Sequence, residues 1–205
     1  MRRSEARKCN ETKNGENEMI TIEGMKDSRV VKCILHRVAD IPGGGTVAVA
    51  GLGGKGLAEG TPLGRGANGL YVVCKTARVL TTANASATVY EVNKGSHFNV
   101  GDRFATDGAN GQTIASIDRS NPAKDKITLS ATLGVEVKAG TCAFESAGAN
   151  KTLKVVPVGI AGDNADVKDG VNLFENIWVH AVVREENAPA VNEKMKDALR
   201  CVTYV

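Results

Sequence analysis

The chain has 205 residues, 42% of them hydrophobic, which is enough to bury a core in one or two domains and excludes disorder throughout. Lys and Arg number 26 against 23 Asp and Glu, scattered rather than gathered into a stripe, so no nucleic-acid partner is indicated. No apolar run approaches the roughly 18 residues of a spanning helix, and the basic, polar start has no apolar stretch behind it, so the sequence predicts a soluble protein with no membrane partner, made in a cytoplasm.

Residues 1–19 are nearly all polar with no periodicity, and predict a flexible, disordered N-terminal tail. Residues 20–75 predict N-terminal strands followed by a Gly-rich arm. Apolar positions from Ile20 to Leu35 are mixed. Between 41 and 75 glycines then punctuate short β-branched stretches, Thr46 to Ala50 and Leu70 to Cys74, that have room for about five residues each and so favour strands. Asn68-Gly69 suits a two-residue hairpin turn, because both residue types tolerate positive φ.

Residues 76–150 predict a β-barrel-like module: short strands recur around 87–92, 112–117 and 127–133, then again either side of the turn Lys138-Ala139-Gly140. Phe98, Val100, Phe104, Ile114, Ile117, Ile127 and Leu129 are its expected core, with Ile177 and Val179 in a second core or an extension of it. Residues 151–205 predict further strands and one helix, packed with 20–75 as one domain in one arrangement. The segment 176–183 is apolar on both faces, as a central strand is. Val191, Met195, Ala198, Leu199 and Val202 fall on one helical stripe after Pro189. The expected class is therefore all-β: small β-barrel or sandwich modules with Gly-rich loops and one short C-terminal helix.

Motifs that carry chemistry are weak here. GLGGKG at 51–56 matches the spacing of a dinucleotide-binding loop, but the residues after it include Gly60, Pro62, Gly64 and Gly66 and cannot form the helix that would hold a pyrophosphate. His36, His97 and His180 are far apart and beside no nucleophile, and Asp163, Asp166 and Asp169 lack the spacing of a calcium loop. Cys9, Cys33, Cys74, Cys142 and Cys201 are odd in number and form no CxxC pair, so they are expected to be small buried apolar thiols. No catalytic residue, metal or cofactor is assigned.

The order of turns and strands is itself informative. GTVAV (45–49), GTPLG (60–64), NGLYVVCK (68–75), YEVNKGSHFNVGD (90–102), IASID (114–118), DKITLSATLG (125–134) and KAGT (138–141) together resemble the head fibre and capsid decoration proteins of tailed bacteriophages, over roughly 35–205. The resemblance implies a non-enzymatic virion protein on the capsid surface, made in a bacterial host cytoplasm, bound to the major capsid protein and homo-oligomeric, with a trimer favoured. Glycine content makes the loop carrying Gly51, Gly53, Gly54 and Lys55, with Arg65 beyond it, the expected capsid or subunit contact. Two alternatives stay open. One is a tail, adaptor or receptor-binding (glycan-binding) protein. The other is a glycan hydrolase, which needs two carboxylates about 5 to 9.5 Å apart in a cleft.

Overall fold

Short strands dominate, because β-branched stretches alternate with glycines placed where the backbone must turn back. The computed structural model describes residues 32–54 and 56–205; the expected tail over 1–19 and the first part of the segment after it lie outside them. The first strands are β1 (Ile34–Asp40), β2 (Gly45–Val47), β3 (Gly56–Leu57), β4 (Pro62–Arg65) and β5 (Tyr71–Val73). The middle of the chain forms β6 (Thr76–Arg78), β7 (Val89–Asn93), β8 (Arg103–Thr106), β9 (Ala109–Asp118), β10 (Lys124–Leu129) and β11 (Cys142–Glu145). The last third forms β12 (Pro157–Ala161), β13 (Ala165–Asp166), β14 (Leu173–Glu175), β15 (Ile177–Val183), the helix α1 (Glu193–Ala198) and β16 (Val202–Tyr204).

These strands make two curled sheets. One runs β1-β15-β12-β4-β5-β2-β14, with β16 pairing β15; the other runs β6-β11-β8-β9-β10-β7. A two-stranded pair, β3 with β13, lies beside them. The middle sheet curls until its ends meet, where Val79 bridges Val92 and the Leu80 N–H donates to Glu91 O at 2.8 Å. Such curvature hides strand edges that would otherwise pair with another chain. The structure is thus all-β and barrel-like, with glycine-rich loops and, among the described residues, one short α-helix near the C-terminus.

The Asn68-Gly69 turn forms as its residue types predict. Asn68 (φ 57°) and Gly69 (φ 75°) both occupy the left-handed region, closing the β4–β5 hairpin where Arg65 pairs with Tyr71. β15 is central, flanked by β1 on one side and by β12 and β16 on the other.

Inside the barrel, Phe98, Phe104, Ile114, Ile127 and Leu129 pack with Tyr90, Val79 and Val92, the Tyr90 and Phe98 rings standing 5.4 and 5.5 Å from the ring of Phe104. Val100 does not join them: it is 64% exposed, at the turn between β7 and β8. Ile117 is only half-buried against that core, and Ile177 is fully buried whereas Val179 is half-buried. A second cluster packs Val47, Leu57, Leu63, Tyr71, Val73, Ala161 and Ile177; a third packs Cys33, Ile34, Ile160, Val183, Leu199 and Val202. A fourth joins the two sheets, with Ala105 and Phe144 from the barrel meeting Cys74, Leu153, Val191 and Met195.

The helical stripe is buried at Val191, Met195, Leu199 and Val202 but only partly at Ala198, and it is too long. The helix stops at Ala198, and Val202 belongs to β16, whose parallel pairing with Ala181–Val183 replaces the next helical turn. Likewise the strand expected over Thr46 to Ala50 ends at Val47, because the chain then turns into the glycine loop.

Candidate functional site

The chain crosses from the first sheet to the barrel at Cys74-Lys75 and leaves the barrel after Glu145. Lys75 and Glu145 face each other there. The β6–β11 register runs Cys142 with Arg78 to Phe144 with Thr76, and the Glu145 N–H donates to Lys75 O at 3.0 Å. On its other side Glu145 pairs with Phe104, two residues beyond Asp102. Lys75 stands two positions before Ala77, Asp102 two before Phe104, and Glu145 two after Ala143; all three reference residues belong to the barrel core. Continuing the strand alternation past the starts of β6 and β8 and to the end of β11 puts the three charged residues at one end of the barrel, in step with its core positions.

Charges held in such a place must be paired. Lys75 is 9% exposed, and its Nζ donates to Asp102 Oδ2 at 2.6 Å; that oxygen also accepts the Asn99 N–H at 2.8 Å. Glu145, 6% exposed, accepts from Lys154 Nζ at 2.6 Å. Burial raises the Glu145 carboxyl above its usual range, opposed by the hydrogen bond from Lys154. A cavity of about 290 Å³ borders all four side chains and is bounded by Leu52, Asn99 and Val155 as well.

The glycine loop closes over the same end of the barrel. Gly53 N–H donates to His97 O at 3.0 Å, and Asn99 Nδ2 donates to Gly51 O at 2.6 Å. A Cβ on Gly53 would run into Phe98 O, and one on Gly54 would stand 2.9 Å from His97 Nδ1. Gly51, Gly53 and Gly54 are thus gathered against the 97–99 turn. Lys55 lies outside the described residues. Arg65 is elsewhere, exposed at the end of β4 with its guanidinium 5.7 Å from the Tyr71 ring.

His97, beneath the loop, is buried with Nδ1 lacking a hydrogen-bond partner among the described residues; the Ser96 hydroxyl is likewise unpartnered. Burial, then the charges of Lys75 and Arg119, lower its pKa to about 4, so its ring is neutral near pH 7. A second cavity, of about 360 Å³, lies on the other side, lined by Arg78, Asn93, Ser96, His97 and the 186–190 turn. His36 and His180 are exposed on β1 and β15.

Cys33, Cys74 and Cys142 are buried free thiols, and burial pushes Cys33 and Cys142 up to about 12, away from thiolate chemistry. Cys201 departs from the expected burial, being exposed, and Cys9 lies outside the described residues. Asp163 belongs to a loop ion pair with Arg37 at 3.4 Å.

Sequence reasoning passed over Lys75, Asp102 and Glu145. The signal was there in part, since a lone charge extends each apolar alternation, as in VVCK and CAFE. Their convergence needed the pairing of β6, β11 and β8. Comparison with known proteins identifies no relative: no family model, curated protein or solved structure is significantly similar to the chain.

Proposed function

We propose that this chain is a non-enzymatic virion structural protein that binds the outer face of a phage capsid shell as a homotrimer. The observation that carries the reading is where the shared motif residues fall. Gly60, Gly69, Gly95, Gly101, Gly134 and Gly140, each within one of the resembling segments, all have positive φ. They are backbone positions at which glycine turns the chain without strain, so these segments of the resemblance supply turns of this scaffold.

Exposed apolar side chains at the ends of the first sheet support a role in assembly. Phe174 is 68% exposed on β14, with Val171 (57%) just before it, and Leu35 (46%) and Val38 (50%) lie on β1; these are the two edge strands of the sheet among the described residues. Edge strands that carry apolar residues invite a neighbouring subunit. A symmetric oligomer meeting several equivalent lattice sites at once gains avidity from modest contacts.

Light scattering of the purified protein, followed by co-sedimentation with capsid shells of tailed phages, tests this. A trimer that pellets with shells, and a Phe174→Asp variant whose trimer or shell binding weakens about tenfold or more, are the expected results. A stable monomer with no shell affinity, or turnover of a glycan substrate, overturns it.

A further inference from the structure

We propose that Lys75 and Asp102 become joined by an intramolecular isopeptide bond, formed by the protein itself with Glu145 as the neighbouring acid-base group. This goes beyond the proposed function and does not depend on it.

Geometry carries the inference. The Lys75 amine and the Asp102 carboxylate are already at 2.6 Å, and both side chains are nearly buried, at 10% and 15% exposure. Lys75 stands immediately before β6 and Asp102 immediately before β8, the two neighbours of β11 in the sheet, and Glu145 ends β11 between them. Asp102 is held in place by the Asn99 N–H, and the Lys75 backbone by the Glu145 N–H that it accepts at 3.0 Å, so the reactants are fixed as in an intramolecular reaction of high effective molarity.

Transfer of one proton along the 2.6 Å hydrogen bond from Lys75 Nζ to Asp102 Oδ2 gives a neutral amine and a neutral carboxylic acid. The neutral Lys75 Nζ then attacks Asp102 Cγ. The C–N bond forms, the tetrahedral intermediate loses one carboxyl oxygen as water, and an amide remains. Of the three hydrogens on the ammonium nitrogen, one stays on the amide and two leave in the water, so atoms and charge balance with no oxidant or further reactant. Burial raises the Glu145 carboxyl, which suits it to pass a proton from the attacking nitrogen to the departing oxygen. The adjoining cavity of about 290 Å³ gives the water a way out. Lys154, half-exposed at 53%, holds Glu145 at 2.6 Å and anchors the relay from outside.

The two residues are 27 positions apart, so the bond would close a loop from the sheet crossover to the turn before β8, constraining the unfolded chain as a disulfide does.

Intact-mass spectrometry of the full chain under denaturing conditions tests this, allowing for removal of the initiator Met. The expected mass is that of the sequence less one water, and digestion should yield a branched peptide joining the segments around Lys75 and Asp102. Lys75→Arg and Asp102→Ala should restore the full mass. Glu145→Gln should also restore it while far-ultraviolet circular dichroism and a cooperative melt show that the fold persists. A wild-type mass equal to that of the sequence, or a loss of water mapped elsewhere, overturns the proposal whatever the variants do. A crosslink that still forms in folded Glu145→Gln removes Glu145 from the reaction.

Discussion

His97 shows how one buried residue couples this fold to pH. Its ring sits under Gly54, 7% exposed, and burial is the main cause of its low pKa, with Arg119 and, until the amide forms, Lys75 as nearby positive charges. The folded-state pKa of about 4 is below the ordinary 6.5, so between those values the unfolded chain binds a proton that the folded chain refuses. The contribution of the neutral ring to stability is therefore whole above pH 6.5 and is lost as the pH falls towards 4, by roughly 3 kcal/mol in all. Urea midpoints at pH 7 and pH 4.5 should differ accordingly, and His97→Gln should flatten the difference; a wild-type midpoint that is level across this range would show that the ring is not held neutral.

Among the elements, the helix α1 depends on its cap. Asn192 is 4% exposed, its Oδ1 accepts the Met195 N–H at 3.0 Å, and its Nδ2 donates to Asp107 Oδ1 at 2.9 Å, which ties α1 to the turn after β8. A six-residue helix has little stability of its own, so its docking through Met195 and the cap must hold it. Replacing Asn192 with Ala should cost about 1 to 2 kcal/mol, read as a lower chemical-denaturation midpoint with an unchanged slope, whereas Asn192→Ser should recover much of the loss. Equal midpoints for Ala and wild type would mean that the cap is dispensable.

At the scale of the whole molecule, the question is whether the two sheets unfold together. The cluster of Cys74, Ala105, Phe144, Leu153, Val191 and Met195 takes side chains from the barrel and from the segments around it, and the charged group of Lys75, Asp102, Glu145 and Lys154 stands at the same crossover. Splitting the sheets would expose both at once. Trp178, the one tryptophan, reports on the first sheet, while far-ultraviolet circular dichroism reports on all strands. Their denaturation curves should coincide in a single transition, and two separated transitions would show that the sheets unfold independently.

Local sequence leaves β3, β4, β6, β8, β13, β14 and β16 unread, and the strand it predicts before Lys138 is absent, but it already specifies the β class, strands such as β5, β7, β9, β10, β11 and β15, the Asn68-Gly69 hairpin and the central place of β15. Each is encoded locally, in alternation of period two or in a residue that tolerates positive φ. It misread Val100, because an apolar residue in a turn looks the same in sequence whether it faces in or out. It also carried the helix past Ala198, where a parallel pairing with β15, distant along the chain, outweighs helical periodicity. The meeting of Lys75, Asp102 and Glu145 was decided only in three dimensions. Which strands become neighbours follows from the closure of the barrel, and that closure is a balance of burial over the entire chain that no short window of residues contains.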